Sequence, residues 1–98
     1  MSQFKLTPDA KASLMQIAQY TERTWGKKQR NTYLKTLDDA FHTLAETPSL
    51  GKIRPEIYHA IRSLNVGKHV VFYIPKENHI VIVHILHERM EPALHIHV

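Results

Sequence analysis

The chain has 98 residues and no cysteine, 43% of its residues are hydrophobic, and its formal net charge is +4 at pH 7. This length leaves room for one domain over residues 1–98, and the lack of cysteine excludes disulfide bonds and thiolate metal sites. No apolar stretch approaches the ~20 residues that span a bilayer, and no apolar signal region is present, so we expect a cytoplasmic protein without a membrane partner.

Two helices are predicted in the first half of the chain, after a short edge strand over residues 2–6. Thr7 and Pro8 form a helix start, because threonine caps a helix and proline fits its first turn. Gly26 has the character of a C-terminal glycine and ends this helix. A second helix runs from about residue 27 to 46. Because almost nothing joins the two helices, they must form an antiparallel hairpin.

Three strand-like runs follow a loop over residues 47–56 that contains two prolines and a glycine. The runs are residues 58–65, 69–74 and 80–87. Short turns between them make the three strands antiparallel neighbours. The last run is apolar on both faces, which is typical of an inner strand. His84 and His87 lie three apart on it, so a regular strand would place them on opposite faces.

The end of the chain completes the predicted architecture. Residues 88–98 contain Pro92 and are predicted to form a short turn and a flexible tail, in which His95 and His97 offer only adventitious metal affinity. We therefore expect no metal site and no cofactor. The elements add up to a βααβββ α+β domain, with an antiparallel helix hairpin on one face of a small, mainly antiparallel sheet. Since two helices cover one face, apolar surface remains for a partner.

Several local strings occur in register along nearly the whole chain. The most specific are Trp25-Gly26 at the helix junction, His69-Val70-Val71-Phe72-Tyr73 and the strand end Ile85-Leu86-His87. Together they resemble the ParE branch of the RelE/ParE superfamily of bacterial toxins. The resemblance implies the toxin of a type II toxin–antitoxin system, encoded beside a ParD-like antitoxin that wraps it and represses the shared operon. It also places the first strand beside the last, which makes residues 80–87 internal.

The resemblance leaves two modes of action open. ParE-type members act on DNA gyrase, which we expect to be contacted at its A subunit; they trap the cleaved DNA complex and block replication without active-site chemistry of their own. RelE-type relatives cut messenger RNA in the ribosome, so the fold alone does not determine function. RNA cleavage needs proton transfer and cations at the phosphate, for which Arg62, Tyr73 and His87 are the candidates. The ribonuclease members of the family usually carry a cluster of several basic residues and a terminal aromatic residue, and this cluster is depleted here. The depletion favours a gyrase inhibitor. We therefore expect no direct nucleic-acid binding outside the complexes with gyrase or antitoxin.

Candidate target-binding residues lie in the second half of the chain. They are Arg54, Arg62, His87, Glu88 and Arg89. Arg54 and Arg62 flank the loop and the strand edge that stay open after the helices pack. Pairing of these arginines with Glu56 or Glu88 is an equal structural alternative. Residues 51–76 hold five Lys or Arg against Glu56 alone, so an acidic, partly disordered antitoxin tail would suit this surface.

Two further residues have a predicted role. Trp25, at the helix junction, is expected to be a core anchor between the hairpin and the sheet. His84 stands where ParE-like sequences often carry arginine. Replacing the permanently charged guanidinium of arginine by the titratable imidazole of histidine weakens a phosphate or carboxylate site. We therefore expect His84 to be a hydrogen-bonded histidine on a mostly buried strand.

Overall fold

The computed structural model describes residues 3–97 and contains a helix hairpin and a five-stranded sheet. The elements in chain order are β1 Phe4–Leu6, α1 Pro8–Trp25, α2 Lys27–Glu46, β2 Lys52–Ile53, β3 Arg62–Val66, β4 His69–Pro75, β5 Ile80–His87 and α3 Pro92–His95. The sheet order is β1-β5-β4-β3-β2, with β1 parallel to β5 and the other neighbours antiparallel. The predicted α+β class and the internal position of β5 are confirmed. Within residues 3–97, no helix has the length and apolar character needed to cross a membrane.

The start of α1 is tied to the inner strand by one side chain. The Thr7 hydroxyl accepts a hydrogen bond from the Ala10 N–H at 3.0 Å, which caps the helix as predicted. The same hydroxyl donates to the Val83 carbonyl on β5 at 2.6 Å. At the other end, Gly26 has φ +94° and joins α1 to α2, a backbone conformation that glycine adopts without steric cost. These local features set the antiparallel hairpin over the sheet.

Apolar side chains pack on both faces of the sheet. The larger cluster lies beneath the helices and includes Leu37, Phe41 and Ile82. The second cluster lies on the opposite face and contains Ile61, Phe72, Leu86 and Ile96.

The second cluster corrects the predicted flexible tail. The short turn after β5 is present, but the chain then forms α3 and buries Ile96, which is 7% exposed. Burial of this side chain removes apolar area from water, which holds the end of the chain against the sheet. The apolar surface expected to remain on this face is therefore partly covered by the protein itself.

The strand prediction after the loop is wrong in two places. β3 begins at Arg62 rather than at residue 58, because the preceding residues form turns closed by Ile57 N–H to Arg54 C=O at 3.0 Å and Ile61 N–H to Tyr58 C=O at 3.2 Å. In addition, β2 lies within the predicted loop and pairs with the start of β3. Two residues are too few to show any periodicity, so this strand had no sequence signal.

Candidate functional site

A cleft of about 830 Å³ lies between the helix hairpin and the end of β5. We call it the histidine cleft, because four of the chain's eight histidines line it. They are His69, His84, His87 and His95. The charged residues that join them on its lining are Lys68, Glu88 and Arg89.

An irregularity in β5 brings His84 and His87 to the same side of the sheet. His84 pairs with Phe72 and Ile82 pairs with the next residue of β4, so Val83 is an extra residue that forms a bulge. After the bulge, His84 lies 3.2 Å through its Nδ1 from the Ser13 hydroxyl of α1. The prediction that the two histidines lie on opposite faces is therefore wrong, because it assumed a regular strand.

Tyr33, His69 and His87 connect α2 to the ends of β4 and β5. The Tyr33 hydroxyl lies 2.7 Å from His69 Nδ1, accepts a hydrogen bond from the Lys68 N–H at 3.2 Å and lies 3.2 Å from the Val66 carbonyl. The rings of His69 and His87 meet edge to face, with 5.5 Å between their centroids. Burial, helped by the nearby His87, lowers the pKa of His69 below its ordinary value. Burial also raises the pKa of Tyr33. Both shifts favour the uncharged forms of Tyr33 and His69 at neutral pH.

The rim of the histidine cleft is aromatic. Trp25 is 71% exposed and Tyr20 is 60% exposed, and both line the cleft. The prediction that Trp25 anchors the core is wrong. Trp25 is the last residue of α1 and precedes the Gly26 turn, about one helical turn past Thr21, the last buried residue of this helix. Large exposed aromatic side chains beside a cleft are typical of contact surfaces.

A second depression, of about 320 Å³, lies around the turn after β5. We call it the arginine depression. Four of the five predicted target-binding residues line it together, namely Arg54, His87, Glu88 and Arg89. Arg54 is partly engaged by the protein, because its guanidinium donates to Glu56 at 2.6 Å and to the Ser63 hydroxyl at 3.2 Å. The bond from Arg54 lowers the pKa of the Glu56 carboxyl. The predicted pairing with Glu56 is thus confirmed, and it orients Arg54 at the edge of the depression.

Arg62, the fifth candidate, lies elsewhere and holds a loop. Its guanidinium donates to the Gly51 carbonyl at 2.8 Å and to the Ser49 carbonyl at 3.3 Å. Its neighbour Tyr73 is fully buried, donates to the Pro48 carbonyl at 2.7 Å and accepts from the Gly51 N–H at 2.8 Å. Burial raises the pKa of the Tyr73 hydroxyl, which makes it a poorer proton donor. Arg62 and Tyr73 together fasten residues 48–51 to the sheet.

The structure does not bring the three ribonuclease candidates together. Arg62 pairs with Tyr73, whereas His87 pairs with His69 at the opposite end of β4. Tyr73 lies four positions after His69 along β4, which corresponds to about 13 Å of extended strand. An acid, a base and a phosphate-binding cation must reach one phosphodiester at hydrogen-bond distances, so this set does not form one catalytic site.

Imidazole is a common metal ligand, so a cleft lined by four histidines is a candidate metal site. Among residues 3–97, no group of three or more His, Asp or Glu side chains is arranged to hold a metal ion. The Nδ1 atoms of three of these rings already have partners within the protein, such as the Arg89 N–H on His87 Nδ1 at 3.2 Å.

The sequence predicted no functional role for three residues that line the cleft. Ser13 and Tyr33 belong to the helix face that packs toward the sheet, and His69 begins a strand. Their positions on a single lining depend on the bulge and on tertiary packing. The one available signal was the number of histidines near the strand ends.

Comparison with known proteins gives consistent matches. The family model described as "ParE toxin of type II toxin-antitoxin system, parDE" matches residues 4–92. Toxin ParE1 of Mycobacterium tuberculosis is 36% identical over 91 residues, covering 92% of this chain and 93% of that protein. Toxin ParE of Escherichia coli is 35% identical over 92 residues, covering 93% and 89%. A solved chain of the chromosomal ParDE TA system from P. aeruginosa has the same fold, with a TM-score of 0.75 at 20% identity over 89% of this chain and 96% of that one.

Proposed function

The chain belongs to the ParE toxin family of type II toxin–antitoxin systems, and we propose that it blocks replication by binding DNA gyrase in the cytoplasm until a ParD-like antitoxin neutralises it. The observation that carries the proposed mode of action is the separation of Arg62 and Tyr73 from His87 along β4. Because these three candidate catalytic groups do not meet at one phosphodiester, their separation supports a toxin that acts through the surface that it presents.

We assign the gyrase contact to the arginine depression. Arg54, His87, Glu88 and Arg89 line it and combine cationic, titratable and anionic groups on one small surface. Arg89 and Glu88 are exposed on the turn after β5, so a large partner can reach them without rearranging the sheet. Arg62 is assigned to the protein's own loop and not to gyrase.

We assign the antitoxin to the histidine cleft. Its rim presents Trp25 and Tyr20, and its lining contains Lys68 and Arg89 against the single carboxylate of Glu88. Aromatic side chains and arginine are enriched at protein interfaces, where they supply most of the binding energy. A segment of a ParD-like antitoxin with apolar and acidic side chains matches both features. ParE toxins pair with ParD antitoxins, which gives this surface a partner.

The proposal is tested with purified protein, bacterial gyrase, ATP and supercoiled plasmid. After the reaction is stopped with detergent and protease, we expect linear plasmid to accumulate in proportion to the toxin. Prior mixing with the ParD-like antitoxin encoded beside the toxin gene should prevent it. A reaction with toxin but without gyrase is the control for contaminating nucleases, which cut DNA in the absence of gyrase.

Two results would contradict the proposal. The absence of linear plasmid at a toxin excess over gyrase would remove the gyrase assignment. Site-specific cuts in ribosome-bound messenger RNA, abolished by His87→Ala in a folded protein, would show that a catalytic site forms despite the separation seen here.

A further inference from the structure

The charge of the histidine cleft depends on four imidazole rings, because its lining contains two fixed cations and one carboxylate. The cations are Lys68 and Arg89, and the carboxylate is Glu88. Histidine is the side chain that ordinarily changes charge between pH 5 and 8. Each ring that takes a proton therefore moves a nearly balanced cleft toward positive charge.

His84 is arranged to accept a proton without losing its hydrogen bond. The Ser13 hydroxyl has a single proton and donates it to the Asp9 carbonyl at 3.0 Å. Its oxygen must therefore accept from Nδ1–H of His84, 3.2 Å away. The Nε2 atom of His84 is then the unprotonated nitrogen, and a proton added there leaves the contact with α1 intact.

His69 and His87 differ in whether protonation would keep the hydrogen bonds of their rings. The Tyr33 hydroxyl can accept from His69 Nδ1 as well as donate to it, since the Val66 carbonyl offers an alternative acceptor. Protonation of His87 at Nδ1 would instead break the hydrogen bond from the Arg89 N–H. A charge on His87 would also repel one on His69, whose ring it contacts. Protonation of His84 at Nε2, by contrast, keeps the hydrogen bond that holds its ring against α1.

We infer that the histidine cleft is an acid-strengthened binding surface for an acidic peptide segment, with His84 as its main proton-dependent contact. Charge complementarity supports this partner, because protonation adds positive charge beside Lys68 and Arg89 while an Asp or Glu side chain stays ionised down to pH 5. The inference rests on the proposed antitoxin contact for its biological meaning, which is tighter neutralisation of the toxin as the pH falls.

The test is binding of a rhodamine-labelled 20-residue polyglutamate peptide, followed by fluorescence anisotropy at constant ionic strength. We expect the affinity of the unmodified protein to rise about tenfold between pH 7.5 and pH 5.5, the effect of about 1.4 kcal/mol of added charge interaction. His84→Gln retains an N–H for Ser13 and is expected to reduce this change to about twofold or less. His59→Gln is the matched control, because His59 is exposed and does not line the cleft, and it should keep the full change.

A second variant tests the inference by gain of charge. His84→Arg places a permanent cation at the same position, so it should bind the peptide at pH 7.5 as tightly as the unmodified protein does at pH 5.5. No binding at pH 5.5, a full pH effect in folded His84→Gln, or an equal loss in His59→Gln would each overturn the inference. The assay contains no gyrase or antitoxin. A failed gyrase experiment with intact pH-dependent peptide binding would therefore remove only the proposed function, and the reverse pattern would remove only this inference.

Discussion

The two ends of β4 carry similar polar side chains and use them differently. Near one end, the side chains of Arg62 and Tyr73 form hydrogen bonds with the backbone of residues 48–51. At the other end, His69 and His87 lie in a cleft beside aromatic and charged side chains that reach solvent. A tyrosine, an arginine or a histidine near a strand end is therefore not by itself a functional residue.

The difference follows from the local backbone. Residues 48–51 form a tight loop outside any helix or long strand, and side chains satisfy three of its carbonyl groups and the Gly51 N–H. The turn after β5 is instead closed partly by its own backbone, through Met90 N–H to His87 C=O at 2.9 Å. Neighbouring side chains at that end stay available for a partner. We call the end of β4 near Arg62 and Tyr73 the closed end, and the end near His69 and His87 the open end. Substitutions at the closed end should therefore change the stability of the protein, and substitutions at the open end should change its binding to a partner.

The largest expected effect on stability is at Gly51. A Cβ there would lie 2.5 Å from the Tyr73 hydroxyl and 2.9 Å from the Ser63 carbonyl oxygen. Because the latter is backbone, it moves little, and we expect Gly51→Ala to lower the free energy of unfolding by about 3 kcal/mol in urea titrations. Tyr73→Phe removes the hydroxyl oxygen that the new Cβ would meet. The losses of unfolding free energy in Gly51→Ala and Tyr73→Phe should therefore not add in the double variant. A change under about 0.5 kcal/mol would show that the closed end is loose.

The second effect concerns the segment that covers the sheet opposite the helices. Ile96 is 7% exposed, whereas Leu94, two residues earlier, is 73% exposed. Ile96→Ala should therefore lower the free energy of unfolding by about 2 kcal/mol through lost burial and a residual cavity. Leu94→Ala is the matched control and should change it by less than about 0.5 kcal/mol. Equal effects of the two substitutions would mean that the end of the chain does not pack on the sheet as described.

The two ends can be compared directly with a pair of arginine substitutions. Arg62→Ala removes the hydrogen bonds to Ser49 and Gly51 and should cost about 1 kcal/mol of unfolding free energy. Arg89→Ala, on the exposed turn, should cost less than about 0.5 kcal/mol. Urea unfolding monitored by circular dichroism measures both. If Arg89→Ala proves the more destabilising, the open end is also a structural element.

The smallest effect is a pH dependence of stability at His69. Its pKa in the folded protein is lowered by burial and by His87, so the unfolded chain binds the proton more readily. Its contribution to stability is present above the ordinary histidine pKa of about 6.5 and is lost as the pH falls below it toward the lower folded value. Unfolding at pH 7.5 and pH 5 should show a smaller loss in His69→Gln than in the unmodified protein. An identical loss in both would mean that His69 is not buried as an uncharged group.

Local sequence signals predicted the helix hairpin and the inner strand, and tertiary contacts decided most of the site. Thr7, Pro8 and Gly26 act through bonds and dihedral angles within a few residues, so their roles could be read directly. The bulge at Val83 leaves no periodic signal, and it alone brings His84 beside α1. Trp25 shows the opposite error, because its hydrophobic character favours burial while its place at the helix end leaves it exposed.

The candidate target-binding set divides along the same line. Glu88 and Arg89 are candidates because they follow the inner strand, and Arg54 because it flanks an open edge; all three line one depression. Arg62 flanks the same edge, but the carbonyl groups that it binds belong to a loop whose course the sequence does not specify. A charged side chain is available to a partner only when the nearby backbone N–H and carbonyl groups already have hydrogen-bond partners.

The most direct test of this account is the gyrase-dependent yield of linear plasmid, measured for Arg89→Ala and Arg62→Ala at equal concentrations of folded protein. The account predicts that Arg89→Ala loses most of the linear product, on the order of tenfold, because it removes a cation from the contact surface. Arg62→Ala should keep the yield of the unmodified toxin. Full activity of Arg89→Ala with loss in folded Arg62→Ala would contradict the account and place the functional surface at the end of β4 that we describe as structural.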